Sequence, residues 1–246
     1  MEKIIAIIPA RMGSSRFPGK PMIKIKGIPM IGRVYKNVKK CKNLDEVVVA
    51  TCDKIIFDYV NSIDGKAIMT SKKHKRASDR CAEALIQIEK KNNTKYDIVV
   101  MVQGDEPLIN SKMIVSSFAP MLKNKSIMVT NLLGKINSIG ELEDRNSIKV
   151  VCDRQMNAIY FSREPIPTRF KNSNKRFGKQ VCVIPFRRKF LLKYLKMKPT
   201  NLEKIESIDM LRIIENGIKV KMIPTNYINQ SIDTPSDLKK IYKYIK

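Results

Sequence analysis

Three cations in one short loop are the first residues that could take part in chemistry. Arg11, Arg16 and Lys20 follow an apolar run at residues 4–8. Such a run is typical of a buried parallel strand, and Pro9 ends it because proline has no N–H to donate. The loop also contains two glycines and two serines, namely Gly13, Gly19, Ser14 and Ser15. A positive, donor-rich loop at the carboxyl end of a strand is suited to binding phosphates, although its spacing fits neither the Walker A loop nor the Rossmann fingerprint.

Two aspartates could bind a divalent cation. Asp105 follows the apolar run at residues 98–102, and Gly104 beside it leaves access to its carboxylate. Mg²⁺ prefers oxygen ligands and is commonly held by one or two carboxylates together with substrate phosphates. Asp105 is therefore the first predicted metal ligand. Asp233 precedes Thr234 and Pro235, a pattern that is equally well explained as the start of a helix.

The composition indicates a single α/β domain. The chain has 246 residues, of which 43% are hydrophobic, so it can bury a substantial core. We find no apolar run as long as a membrane span and no signal peptide, and we predict a cytoplasmic protein without a membrane partner. The only histidine is His74, and the five cysteines are scattered, which argues against a disulfide framework, a zinc site and a Ser–His–Asp hydrolase.

The net charge of +25 permits two interpretations. The charge could bind nucleic acids or polyanionic substrates, or it could reflect lysines on solvated helix faces. The lysines are spread along the chain, aromatic residues make up 7% and tryptophan is absent, which favours the second interpretation and predicts no nucleic-acid partner. A basic nucleic-acid-binding module stays as an alternative, and salt-sensitive DNA retention without CTP turnover would favour it.

Three sequence segments resemble the sugar-nucleotide cytidylyltransferases, in particular the branch that makes CMP-Kdo (Kdo is 3-deoxy-manno-octulosonate). They are residues 9–21, residues 103–107 (Gln-Gly-Asp-Glu-Pro) and residues 233–238 (Asp-Thr-Pro-Ser-Asp-Leu). The resemblance implies one Rossmann-like nucleotidyltransferase domain over residues 1–246, with a mostly parallel central sheet. It also implies a homodimer, with a small β excursion at about residues 140–190 for dimerisation and acid binding.

The resemblance further implies a reaction and its residues. A hydroxyl of a sugar acid would attack the α-phosphate of CTP and release pyrophosphate. Asp105 and Asp233 would hold Mg²⁺, while Arg11 and Lys20 would act on the reacting phosphates. The CTP-binding residues would be Pro9, Ala10, Arg11, Ser14, Ser15, Arg16, Lys20, Ala50, Thr51, Asp53, Thr70, Ser78, Arg80 and Gln103.

The predicted acid site departs from the family pattern. By resemblance it contains Gln103, Arg163, Gln180, Ile184, Asp209 and Met210. Gln180 stands where the family has His, Ile184 where it has Tyr, and Asp209-Met210 where it has Glu-Gln, while Arg76-Ala77 replaces Ser-Gly. Kdo is the default substrate, but an amino-substituted Kdo, another ulosonic acid or a phosphonate would also fit. A non-catalytic nucleotide-binding homologue is a further alternative.

The segment before the last strand is predicted to be one long helix. The apolar residues Ile205, Ile208, Leu211 and Ile214 recur at helical spacing within residues 202–216. This pattern predicts that all four side chains face the core.

Overall fold

The computed structural model describes residues 2–13, 17–168 and 178–245. The strands are β1 Ile4–Ala10, β2 Lys24–Ile25, β3 Ile28–Pro29, β4 Glu46–Thr51, β5 Ala67–Met69, β6 Ile98–Val102, β7 Thr130–Lys135, β8 Lys149–Cys152, β9 Ala158–Ser162, β10 Gly178–Val181, β11 Val183–Arg187 and β12 Lys221–Pro224. The α-helices are α1 Met30–Lys39, α2 Lys54–Ser62, α3 Ala77–Asn92, α4 Ser111–Lys123, α5 Ile139–Glu143, α6 Arg188–Tyr194, α7 Asn201–Glu206, α8 Asp209–Glu215 and α9 Pro235–Ile241.

The central sheet has the strand order β11-β6-β1-β4-β5. Strands β6, β1, β4 and β5 are parallel, and β11 pairs antiparallel with β6. β1, β4 and β6 are buried along their whole length, because helices cover both faces of the sheet. The predicted mostly parallel central sheet is confirmed.

Two apolar cores lie on opposite faces of this sheet. Successive residues of β1 alternate between them: Ile5 and Ile7 contribute to the core under α3, α6 and α8, whereas Ile8 contributes to the core under α1, α2 and α4. This packing fixes β1 from both sides. The loop that follows β1 therefore starts from a rigid base.

A second sheet carries the order β12-β7-β10-β8-β9. It is wider than the predicted excursion at residues 140–190, because it begins with β7 and recruits β12 from near the C-terminus. In addition, β11 falls inside the predicted range but belongs to the central sheet. Cys182 marks the change of sheet: its carbonyl accepts from the Gln103 N–H at 3.0 Å, and its own N–H donates to Glu106 Oε1 at 3.3 Å.

The predicted single helix over residues 202–216 is wrong. Ser207 adopts φ 55°, which ends α7, and α8 starts at Asp209. The break turns Ile205 outward, and this side chain is 77% exposed instead of packing in the core. No helix in the described part of the chain is long and apolar enough to span a bilayer.

Candidate active site

The loop after β1 and the turn after β6 form the floor of one cavity. β1 and β6 are parallel neighbours, so their carboxyl ends meet at one edge of the sheet. Gly104 suits this edge, because a Cβ there would lie in tight contact, 3.1 Å from the Pro9 carbonyl oxygen. The cavity has a volume of about 460 Å³, and its wall includes Pro9, Ala10, Arg11, Gly13, Lys20, His74, Arg76, Arg80, Gln103 and Asp105.

Lys20 links the two predicted metal ligands. Its Nζ lies 2.6 Å from Asp105 Oδ2 and 3.5 Å from Asp233 Oδ1, and it donates to the Ile232 carbonyl at 2.7 Å. Burial by itself would lower the pKa of Lys20, but the two carboxylates outweigh burial and raise the pKa above its usual value. The structure thus brings Asp105 and Asp233 together around one positive charge.

Backbone contacts hold the two carboxylates in place. The Ile232 N–H donates to the Asp105 carbonyl at 3.1 Å, which fixes the segment that carries Asp233 against the turn after β6. Immediately afterwards, Thr234 and Asp237 form a capping box that begins α9. The helix start and the carboxylate site are therefore compatible interpretations of the same residues.

The chemistry of this donor set suits a hard dication. Two carboxylates that converge on one point, with open space beside them for phosphate oxygens, match the usual ligation of Mg²⁺. No cluster of three or more His, Cys, Asp or Glu side chains that could hold a metal occurs among the described residues. A metal here would thus depend on two protein carboxylates completed by substrate.

A second, larger cavity adjoins the first. It has a volume of about 840 Å³ and shares Gln103 and Asp105 with the first cavity. Asp233 also lines it, as do Lys179 and Gln180 of β10. The carboxylate pair therefore lies where the two cavities meet.

Glu106 is a site residue that the sequence interpretation did not single out. Burial, together with the neighbouring charge of Asp105, raises its pKa to about 7. Its Oε1 accepts from the Cys182 N–H, so it also fastens the strand change between β10 and β11. Its position beside Asp105 in the Gln-Gly-Asp-Glu-Pro segment could have identified Glu106 as a site residue from the sequence.

Arg163 lies in the wall of the larger cavity, where backbone oxygens hold it. Its guanidinium donates to the carbonyls of Glu206 at 2.6 Å, Arg145 at 2.8 Å and Ser207 at 3.4 Å. These contacts fix the plane of the group at the wall. The break between α7 and α8 thus has a role in the site, because it supplies two of the three carbonyls.

Several residues predicted to touch CTP lie behind the cavity instead. Ala50, Thr51, Thr70 and Ser78 are buried, and none of them lines either cavity. Asp53 supports the loop after β1 from outside, because its carboxylate accepts from the Met12 N–H at 2.8 Å. These side chains lie behind the smaller cavity without lining it.

Arg80 does line the smaller cavity, and one of its nitrogens is unpaired. Nη1 donates to Thr70 Oγ1, whereas the buried Nη2 has no hydrogen-bond partner within the described part of the chain. A buried guanidinium nitrogen without an acceptor is costly, which makes a ligand acceptor favourable here. Ser14, Ser15 and Arg16 lie outside the described residues.

Three of the predicted acid-binding residues are not in the larger cavity. Ile184 and Met210 are core residues with 3% and 1% exposure, because Ile184 pairs with Met101 inside the central sheet and Met210 packs from α8 into the core on one face of that sheet. Asp209 pairs with Arg76 Nη1 at 3.0 Å and accepts from Ser78 Oγ at 3.2 Å. The prediction placed all six side chains at the acid site, but these three do not line the larger cavity. Gln103, Arg163 and Gln180 do line it.

Arg76 explains why Asp209 is held away from the larger cavity. Burial raises the pKa of Asp209, and the guanidinium of Arg76 opposes that rise. Both residues are departures from the family pattern, and they pair with each other. The sequence showed each change separately but gave no sign of the pairing.

Comparison with known proteins places the chain in a family. The family described as Cytidylyltransferase matches residues 5–223. A 3-deoxy-manno-octulosonate cytidylyltransferase from Fusobacterium nucleatum subsp. nucleatum is 41% identical, over 99% of this chain and 97% of its own. The protein of the same name from Geobacter metallireducens is 39% identical, over 97% and 96%. The chain belongs to the 3-deoxy-manno-octulosonate cytidylyltransferase family.

A solved structure agrees with this family assignment. A CMP:2-keto-3-deoxy-manno-octonic acid synthetase, complexed with CTP, superposes with a TM-score of 0.88 at 33% identity and covers 98% of each chain. The predicted family and its nucleotidyltransferase fold are confirmed. The prediction that the protein is a cytidylyltransferase enzyme is confirmed as well.

Proposed function

We propose that this protein transfers CMP from CTP to a hydroxyl of a 3-deoxy-ulosonic acid, with Kdo as the default substrate, and releases pyrophosphate. The observation that carries the proposal is the junction of the two cavities. Lys20, Asp105 and Asp233 lie there, with Gln103 facing both sides. Relatives named for this reaction, over nearly the full chain, support it.

The smaller cavity would bind CTP. Arg11 and Lys20 bring positive charge to its loop, and the unpaired Nη2 of Arg80 offers a further donor. Ser14, Ser15 and Arg16 complete the proposed phosphate loop. Preorganised cations of this kind stabilise the charge that builds on the leaving pyrophosphate.

Asp105 and Asp233 would hold Mg²⁺ at the junction. When bound, the ion supplies a Lewis acid that offsets phosphate charge and lowers the pKa of the attacking hydroxyl. Lys20 contacts the same two carboxylates and also donates to the Ile232 carbonyl, which holds the two carboxylates in position. The protein's main contribution is then the relative position of two substrates, held by rigid strand ends.

The larger cavity would bind the sugar acid, with Gln103, Arg163 and Gln180 in its wall.

We further propose a homodimer formed through the second sheet, because its edge strand β9 exposes Ile159 at 57%. We place the reaction in the cytoplasm, where thiols stay reduced, since all five cysteines are free.

Pyrophosphate release tests the proposal. The purified protein would receive CTP and Mg²⁺ with Kdo, 8-amino-Kdo or another ulosonic acid in separate reactions, with reactions lacking the acid as controls. Release with Kdo is the expected result. Release only with another acid would keep the reaction and change the substrate, and CTP binding without release for any acid would contradict the proposal.

A further inference from the structure

A buried asparagine controls the direction of a side chain in the larger cavity. Gln180 lies on β10, and its Nε2 donates to Asn131 Oδ1 at 2.6 Å. Asn131 lies on the neighbouring strand β7 and is 0% exposed. The two side chains occupy the same face of the second sheet, two positions apart in register, where side chains of this length can meet.

The surroundings of Asn131 fix which end of its amide is nitrogen. Nδ2 lies 2.7 Å from the Val181 carbonyl, 3.2 Å from the Leu132 carbonyl and 3.5 Å from the Val183 carbonyl. Carbonyl oxygens only accept, so a reversed amide would bury an oxygen against other oxygens and lose its hydrogen bonds. Asn131 Oδ1 therefore faces Gln180 as an acceptor.

The orientation of Gln180 follows from that of Asn131. An acceptor on Asn131 requires the nitrogen end of the Gln180 amide, so Oε1 is the end left over. No donor from the described residues contacts Oε1, and Gln180 lines the cavity. The wall thus presents a carbonyl oxygen whose direction is set by a buried neighbour.

We propose that Asn131 and Gln180 together make the acid site selective for a substrate that carries a hydrogen-bond donor, a hydroxyl or an ammonium group, at the position that meets Gln180. The histidine of the family pattern can donate or accept at this position according to its tautomer, whereas the Gln180 oxygen only accepts. Gln180 is the specificity residue and Asn131 is its positioning residue. The inference rests on the proposed function.

Substrate analogues test this selectivity. Each hydroxyl of the acid substrate except the one that attacks the α-phosphate is replaced in turn by fluorine, which cannot donate, and by an amino group, which donates as ammonium. At one position we expect fluorine to lower kcat/KM by about 10- to 100-fold, because the Gln180 oxygen is left unpaired, while the amino analogue is still used. Equal tolerance of fluorine at every position would overturn the inference.

Variants then connect the preference to the two residues. Gln180→Met should abolish the difference between the amino and fluoro analogues at that position. Asn131→Leu should reduce it, because the Gln180 amide can then rotate. Asn61→Leu, an exposed change on α2, serves as the control and should leave the preference intact.

Two kinds of failure can be told apart. Turnover of the unmodified acid with a preference that survives Gln180→Met would overturn the selectivity inference alone. Absence of pyrophosphate release with every acid would overturn the proposed function and this inference with it. Because Gln180 lines a cavity and Met has a similar size, Gln180→Met keeps the test decisive even where Asn131→Leu fails to fold.

Discussion

At the scale of single residues, the carboxylates around Lys20 are the most sensitive point of the molecule. Asp105 and Asp233 come from distant parts of the chain and meet within 3.5 Å of one ammonium nitrogen. Asp105→Asn and Asp233→Asn each remove one negative ligand from the proposed Mg²⁺ site without changing side-chain size. We expect each to lower kcat by about 100-fold or more, because the charge on the reacting phosphates is then poorly offset.

Pyrophosphate release over a series of Mg²⁺ concentrations measures this effect. Asp58→Asn is the matched control, because Asp58 is an exposed partner of Lys54 on α2. It should leave turnover unchanged. Full turnover by Asp233→Asn would show that the two-carboxylate site is wrong.

The sequence allowed this site to be predicted because its residues follow strand ends or a helix cap. Asp105 and Lys20 could be placed at one sheet edge from apolar runs and glycines alone, and the resemblance added Asp233. Ile184 could not be placed correctly, because the run at residues 178–187 crosses from one sheet to the other at Cys182. Which face a residue takes after such a crossing depends on pairing with distant strands, which periodicity does not encode.

At the scale of elements, ion pairs fasten the helices that surround the cavities. Glu89 at the end of α3 accepts two hydrogen bonds from Arg188 at the start of α6, at 2.6 and 2.7 Å. Burial by itself would raise the pKa of Glu89, but Arg188 and the Tyr96 N–H outweigh burial and lower the pKa. The pair therefore contributes stability above the ordinary carboxyl pKa, and this contribution is lost as the pH falls through the lowered value.

Glu89→Gln should consequently lower the free energy of unfolding by about 1–3 kcal/mol at pH 7. The difference in unfolding free energy between the variant and the unaltered protein should shrink below about pH 4, where the Glu89 carboxyl of the unfolded chain becomes protonated. Urea unfolding at a series of pH values measures both. Asp58→Asn, which breaks an exposed pair, should cost less than about 0.5 kcal/mol at any pH. A difference for Glu89→Gln that did not vary with pH would contradict the assignment.

The helix pair α7–α8 depends on a second, more deeply buried ion pair. Arg212 Nε donates to Glu203 Oε2 at 2.7 Å, and both side chains are buried. Arg212→Met leaves the Glu203 carboxylate without its main partner, so we expect a loss of about 3–5 kcal/mol in unfolding free energy. Urea unfolding measures the loss, with the exposed change Lys204→Met as control.

A double variant separates the contribution of the ion pair to stability from the contribution of the packing around it. Combining Arg212→Met with Glu203→Leu removes both charges, and stability should largely return, because no unpaired charge then stays buried. A double variant as unstable as Arg212→Met alone would show that packing, such as the contact of Arg212 with the Tyr194 ring, carries the effect.

This pair also explains why the helix over residues 202–216 was predicted wrongly. The apolar spacing is correct for one helix, and Ser207 is not a strong breaker by type. However, the Glu203–Arg212 pair and the carbonyls that hold Arg163 are satisfied only when the chain turns at Ser207. Those partners lie in other elements, so local periodicity could not reveal the turn.

At the scale of the whole molecule, the proposed dimer depends on the outer edge of the second sheet. Ile159 lies on β9, the edge strand of the second sheet, and an exposed apolar edge favours pairing with another chain. We expect a mass twice the 28.2 kDa of the chain in sedimentation equilibrium, and a monomer for Ile159→Glu. Ile55→Glu on α2, where the isoleucine is 53% exposed, is the matched control and should stay dimeric. An Ile159→Glu protein that remains dimeric would place the interface elsewhere.

The strand order of the central sheet also affects how the chain is synthesised. β6 is apolar throughout and lies between β1 and β11, yet β11 follows it by roughly 80 residues. At a synthesis rate of roughly 5–20 residues per second, one edge of β6 stays open on the ribosome for about 4–16 s. An apolar strand edge exposed for that long is a template for aggregation, so the nascent chain needs a chaperone or a cover from its own later segments. A polypeptide released before residue 183 keeps the phosphate loop and β1, but it is expected to aggregate before it can bind a nucleotide.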